Sequence, residues 1–594
     1  RGVDEIVVTG YGSARKEAVT GSMLSVSTEK LTQLSTTSFQ TALQGAPGVL
    51  VTSSDGTPGG GINVRVRGVG SITAGSEPLY VIDGIPLFND GDGIGMTAFD
   101  NAGRTAIPLS SLNPNDIESV VVLEDAASTA IYGSRGANGV ILITTKGGVA
   151  GGTIREAAPK LELKYQSGFS SLAFNNLHQP LNAAEYHEFY IEARVNAGMT
   201  PENAEIQFQK QFPVQEDNNW LDLITETGVT QQYDLSARGG TDRLTYFVSG
   251  SVFQQDGVVI STGFDRFASR ANLTAQLTDK FKLANNISVA HTKQNAHEDG
   301  TSFQAPFYQV VFTPSVIPMF DEEGQYWAKH TEIMGAAHPV GGLKTDIWER
   351  QTDRIIDNLT GTYQFNDRFS ASSAWSFDIY NVDDYMYENP RFGDGRNVGG
   401  LFDESRSDVL SWQGTNTVNF VDAFRGKHNV DAVAGFEASK TTRDRVNVYG
   451  EGFAHPWLKT GASAAVIKGS SDRLAYSFMS MFARANYDYD GTYFISASAR
   501  RDGSSKFGPD SRYGNFWSLG VGYTLTNSIL KDHDFINYMK LRSSFGQIGN
   551  ADIGSYEWQG LYGFSPTYYN LPGSGPSQVP NTMLTWESQD ALNV

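Results

Sequence analysis

Trp517-Ser518-Leu519-Gly520-Val521-Gly522-Tyr523-Thr524-Leu525 sets a large apolar side chain against a small or polar one at every step. An extended strand, whose side chains alternate between two faces, turns that period of two into one apolar and one polar surface. The same grammar recurs from residue 160 onward. Leu161, Leu163 and Tyr165 stand against Glu162, Lys164 and Gln166, and Phe267, Ala271, Leu273 and Leu277 against Arg270, Asn272, Thr274 and Gln276. About thirteen such segments are expected along the chain.

The connections between them alternate in length. Residues 238–243, 278–280, 366–368, 424–427 and 488–492 read as tight and 526–537 as moderate. Residues 167–230, 254–266, 292–354, 381–409, 439–476 and 501–515 read as long. Short turns at one end and long loops at the other describe an up-and-down transmembrane β-barrel, whereas a soluble β array has no reason for such parity. No stretch approaches the ~18 apolar residues of a membrane helix. A mean hydropathy of −0.31 does not count against a barrel, because its apolar outer and polar inner side chains average out.

Composition agrees. The 594 residues include no Cys, which excludes disulfide scaffolds and thiolate metal sites. With 34 Phe, 26 Tyr, 9 Trp and only 19% charged residues, the chain is too aromatic to be disordered. A net charge of −20 repels phosphate backbones, so nucleic acid is not an expected partner.

Residues 16–148 have a different pattern, with short apolar runs, small-residue turns and two expected helices, at 39–43 and 124–132. The strands Ile62 to Arg67, Leu79 to Ile82, Ser119 to Leu123 and Gly139 to Thr145 point to a compact α+β globule. The Gly- and Ala-rich residues 149–159 read as a linker.

Several of these stretches resemble a known family. Asp4-Glu5-Ile6-Val7-Val8-Thr9-Gly10 resembles the TonB box of SusC/RagA-type TonB-dependent transporters. Leu43-Gln44-Gly45-Ala46-Pro47-Gly48, Tyr80-Val81-Ile82-Asp83-Gly84 and Tyr132-Gly133-Ser134-Arg135-Gly136-Ala137-Asn138-Gly139 resemble its plug signature, in the right order. Arg500-Arg501-Asp502-Gly503-Ser504-Ser505-Lys506, Leu541 to Gly546 and Leu584-Thr585-Trp586-Glu587 are similar to its barrel-strand motifs. The family's usual small β domain before the box is not in this sequence, and its barrel has about 22 strands. Roughly the last third of a barrel is therefore expected to be absent here.

The resemblance implies a TonB box and hinge at residues 1–15, a plug at 16–148 and a partial transmembrane barrel at 160–594. It implies a non-enzymatic, TonB-dependent importer in the outer membrane of a Gram-negative bacterium, of Bacteroidota type. The TonB–ExbB–ExbD complex would energise it, a SusD-like surface lipoprotein would cap it, and the cargo would be an oligosaccharide or an oligopeptide. The alternatives are a receptor for a metal chelate or vitamin, and a non-transporting surface adhesin.

Candidate site residues follow from chemistry at the expected positions. Tyr326, Trp327, Trp348, Tyr385, Tyr387, Phe392 and Trp457 fall in the long loops, where aromatics can stack on sugar rings or grip peptide side chains. Girdle and loop-packing roles account for them as well. Asp90 and Asp92, in a Gly-rich loop, offer oxygen ligands for calcium but lack an EF-hand's sixth-position Gly and closing Glu. No other cofactor is expected. The nine His show no His-x-x-x-His spacing, and no Gly-x-Ser-x-Gly occurs, so nothing proposes a catalytic zinc or a nucleophile.

Overall fold

The computed structural model describes residues 6–9, 12–15, 20–26, 37–53, 55–71, 74–87, 108–148, 159–173, 179–298, 304–328, 338–530, 535–564, 567–569 and 571–594. The linker reading at 149–159 lies almost wholly outside them, as do Asp90 and Asp92.

Fourteen strands, from Lys160–Ser170 to Glu587–Asn593, form one sheet in which each pairs antiparallel with the next in sequence. Among the described residues the first and last strands do not pair with each other, so the sheet is a curved, open wall. Its outer face carries Tyr233, Leu235, Phe267, Leu273, Trp375, Phe377, Met481, Trp517, Leu519 and Val521, all exposed. Its inner face buries Asp234, Arg266, Arg270, Asn272, Arg354, Asp378, Glu437, Arg500 and Asp502. Apolar outside and charged inside inverts a soluble protein and is the arrangement required where lipid surrounds the wall.

The parity of the connections holds, but their lengths differ from the sequence reading. The tight ends are turns at 241–243, 279–280, 365–368, 425–427 and 490–492. Positive φ at Arg425 (52°), Gly426 (68°), Asp490 (54°) and Gly491 (61°) closes the last two. Aromatics gather beside these turns: Phe369 lies 4.9 Å from Phe420, and Tyr493 stacks on Tyr523 at 5.1 Å. At the other end, strands consume residues assigned to loops. His428–Phe453 and Ala464–Tyr489 run for 26 residues each, far beyond the ~10 that cross a membrane. The expected long loop at 254–266 contracts to a turn at 257–262. Cross-strand pairing satisfies the backbone outside the membrane as well as inside, so polar sequence there did not mean loop.

Connections 171–227 and 296–346 build a helical outer subdomain. Helices Ala183–Asn196, Pro201–Gln211, Trp220–Ile224 and Pro339–Thr345 pack Tyr190, Phe208, Phe212, Trp220, Ile317 and Trp327 into one core. From the helix Ala183–Asn196, Tyr186 and Tyr190 reach this core, while Phe189 stays exposed.

Inside the wall lies a five-stranded mixed sheet in the order Met23–Val26, Ile117–Leu123, Val140–Thr145, Leu79–Ile82, Ile85–Pro86. Val140–Thr145 and Leu79–Ile82 run parallel, and their continuous apolar runs are buried on both faces. Tyr80, Ile82, Val120, Val122, Ile141 and Ile143 face one core. Val81, Val121, Val140 and Leu142 face another, completed by Val433 and Phe482 of the wall. Each fully buried aliphatic side chain contributes about 1.5–3 kcal/mol. The two expected helices are shorter than read: Phe39–Leu43 is a 3-10 turn, and 124–132 holds only the α-helix Ala126–Thr129 before a second 3-10 segment.

Candidate functional site

The N-terminal box is a hairpin. Ile6–Thr9 pairs antiparallel with Gly12–Arg15, Val7 opposite Ala14, so among the described residues one edge of Ile6–Thr9 is paired and the other is not. Asp4, Glu5 and Gly10 lie outside the described residues.

The chain is next described at Thr20, which enters the plug by polar ties. The Thr20 and Ser496 hydroxyls are hydrogen-bonded, and the Gly21 carbonyl accepts from Arg542 at 2.9 Å. Ser22 N–H donates to Asp125 Oδ2 at 2.8 Å. Met23–Val26 follows as the edge strand of the plug sheet, held through Ile117–Leu123.

The plug is latched to the wall at the elbow 130–139. Asp125 caps Ala126–Thr129 in a capping box with Ser128 and sets the approach. Gly133, at φ 60° and ψ −128°, then reverses the chain. A Cβ there would overlap Asp502 Oδ2 and lie 2.7 Å from Arg500 Cδ, so glycine is required by conformation and by space. Beyond it, Ser134 N–H donates to Asp502 Oδ2 at 2.8 Å and Arg135 donates to Glu437 Oε1 at 2.5 Å. Arg500 ties the groups together, donating to Asp502 at 2.6 Å, Glu437 at 3.0 Å and the Ile131 carbonyl at 3.0 Å. Arg500, Glu437 and Asp502 are almost wholly buried, so their mutual pairing is what makes burial of the charges tolerable.

Above the elbow an outer cavity of about 120 Å³ separates plug from wall. Glu77, Arg135, Asp378, Tyr476, Lys506 and Asp552 give it charges of both signs and an aromatic face. Lys506 Nζ lies 4.5 Å from the Tyr476 ring centroid. Burial pushes the Glu77 carboxyl above its usual range despite its Arg65 partner.

The seven aromatics divide. Trp327 is buried in the outer subdomain core, Trp348 packs with Ala296 and Met386, and Tyr387 packs with Phe402 and Phe453. Phe392 is buried 6.5 Å from Tyr326 in an edge-on contact. Trp348, Tyr385 and Tyr387 sit in strands, not loops. Tyr385 and Tyr387 donate to the carbonyls of Lys459 (2.6 Å) and Pro456 (3.2 Å), pinning the segment that displays Trp457. Trp457 is 80% exposed and stacks on His455 at 5.3 Å. The latch residues Glu437, Arg500 and Asp502 were not singled out as a site from sequence. Their signal was charge at inward parity, with Arg500 and Asp502 two apart on one strand. Among the described residues no three His, Cys, Asp or Glu are arranged to hold a metal ion.

Residues 15–140 match the TonB-dependent Receptor Plug Domain. TonB-dependent receptor P3 of Formosa agariphila is 30% identical over 99% of this chain and 55% of its own length. TonB-dependent receptor SusC of Bacteroides thetaiotaomicron is 28% identical over 100% of this chain and 58% of its own. The chain thus spans a little over half the length of the curated relatives it matches. Among solved structures, the RagAB peptide importer in the closed-closed state aligns at a TM-score of 0.80 and 25% identity. That alignment covers 97% of this chain and 65% of the other.

Proposed function

We propose that this chain, a SusC/RagA-type TonB-dependent transporter by its plug and its strands, imports short oligomers, oligopeptides foremost, across a bacterial outer membrane. The observation that carries the reading is the occluded polar lumen together with its handle. A wall that is apolar outside and charged inside curves along a latched plug, and the residues entering that plug at its edge strand follow the box at 4–10. In this reading an inner-membrane energy-coupling complex pairs with the open edge of the box by β-augmentation. Tension then passes through Thr20–Ser22 to Met23–Val26, an edge strand of the plug sheet.

Two features support a peptide before an oligosaccharide. The outer cavity offers partners for both an ammonium and a carboxylate, as the termini and side chains of a peptide require. The structurally similar RagAB complex is a peptide importer. A SusD-like lipoprotein seated on the outer subdomain would enclose the cargo, and Trp457 is an exposed aromatic at that end. Co-purified ligands from the natively isolated transporter, identified by mass spectrometry, test the cargo class. Bound oligopeptides support the proposal; bound glycans alone contradict its peptide assignment.

A further inference from the structure

The plug meets the wall in two different ways. Along Gly228–Gly240, Gly263–Thr278 and Phe281–Asn295, long polar side chains bridge the two bodies directly. Arg266 donates to the carbonyls of Thr37 (2.9 Å), Ser110 (3.1 Å) and Leu112 (3.3 Å). Asn272 donates to Thr145 Oγ1 and the Lys146 carbonyl, both at 2.8 Å, and Gln294 to the Pro58 carbonyl at 3.0 Å. Asp234 accepts from Asn113 at 2.9 Å and Asn115 at 2.8 Å.

Along Phe369–Glu388 and Leu401–Phe424 the wall stands off. Below the outer cavity lies a second one of about 410 Å³, lined on the wall side by Asn358, Thr360, Ser372, Thr415, Thr417 and Asn419. Ile85, Ser376 and Gln413 line both cavities, so a single layer of side chains divides them. Small hydroxyls and amides offer exchangeable hydrogen bonds without deep charged traps, which suits passage of an extended polar chain. The barrier is closed from the plug side by the elbow, where Arg135 also donates to Gln413 at 3.3 Å. If the elbow leaves, the wall's charges stay paired, because Arg500 bonds both Glu437 and Asp502 on its own side.

We infer, building on the import reading above, that cargo crosses along this wall and that opening is local. Ile85 and residues 131–138 move off Ser376 and Gln413, while the plug remains bonded to the preceding strands of the wall through Arg266, Asn272 and Asp234. The outer and inner cavities then join into one corridor.

The 594 residues hold no native Cys, and any thiol elsewhere in the full-length protein is replaced by Ser so that single cysteines report the route. Ser376→Cys and Thr417→Cys lie on the corridor; Ser251→Cys lies at a buried position of the preceding strands, where the plug stays bonded. The full-length protein in cells is treated from outside with an impermeant maleimide while the cells are supplied with a fluorescent oligopeptide mixture, with and without a protonophore. Energised labelling should rise at least about tenfold at Ser376→Cys and Thr417→Cys and stay unchanged at Ser251→Cys, as a local shift of population requires. Equal acceleration at all three positions would mean that the whole plug leaves. No acceleration on the corridor while the peptide still enters would put the route elsewhere. Either result overturns the inference and leaves import intact. Absence of energised peptide entry in the parent protein would instead overturn the import reading, and the route with it.

Discussion

Asp502 of the barrel accepts the backbone N–H of Ser134 in the plug at 2.8 Å, and the preceding residue, Gly133, is the one position in the elbow where any side chain would collide with that carboxylate. The contact joins residues far apart in sequence and makes a backbone conformation part of the seal. Gly133→Ala is therefore expected to unseat the elbow, with about 1–3 kcal/mol of backbone strain added to the overlap. Protease accessibility of the plug in purified protein should rise, while strand content by circular dichroism stays constant. An unchanged digestion pattern would contradict the latch.

Glu437 is the hub of the same network, accepting from Arg135, Arg500 and Gln413. Glu437→Gln removes one buried charge and leaves Arg135 without its carboxylate. Breaking a buried pair in this way costs about 3–5 kcal/mol. Arg500 retains Asp502, so the double variant Arg135→Gln, Glu437→Gln should recover part of the loss. A thermal-melt series on the parent, Arg135→Gln, Glu437→Gln and the double variant measures it, and additive losses would count against direct coupling.

Topology follows from the parity of the connections. Ser470 is exposed on the extended hairpin at the long-loop end, whereas Asp242 and Asp279 sit in tight turns at the other. Ser470→Cys should react with an impermeant maleimide on intact cells, and Asp242→Cys and Asp279→Cys only after the outer membrane is opened. The reverse pattern would invert the orientation.

His338 caps the helix Pro339–Thr345 in the outer subdomain through Nδ1, which accepts from Gly341 N–H at 3.0 Å. Its other nitrogen faces the Pro318 carbonyl at 3.4 Å, and burial lowers its pKa to about 4. A depressed histidine stays neutral in the fold, so its contribution is full above the ordinary value near 6.5 and is lost as pH falls towards 4. Across that window the outer subdomain should lose about 3 kcal/mol. Hydrogen exchange at residues 339–345 should accelerate between pH 6.5 and 4 in the parent and much less in His338→Asn, which keeps an acceptor without titrating. Equal acceleration in both would remove His338 as the cause.

The wall was legible because its signal is local. Trp517 to Leu525 declares its two faces without reference to any other strand, and lipid on one side makes the alternation strict. The extended hairpins were not, because above the membrane the strands of 26 residues no longer need an apolar outer face. Tyr385 and Tyr387 were consequently read as loop residues, although each is fixed in Phe369–Glu388. The latch was hidden for a different reason. Arg135 and Glu437 are separated by 302 positions, and their meeting depends on the accumulated register of the intervening strands, which no local pattern encodes. The motif around Gly133 was visible as a family resemblance; that its glycine faces Asp502 required coordinates.

Energised import through a handle at residues 4–10 is tested by removing that handle. Accumulation of a fluorescent oligopeptide mixture is compared in cells carrying the full-length protein and a version lacking residues 4–10, with surface binding measured in parallel on de-energised cells. The account predicts that the deletion lowers accumulation to the level seen with a protonophore and leaves surface binding unchanged, since outer cavity and outer subdomain are untouched. Undiminished, protonophore-sensitive accumulation in the deletion would contradict it.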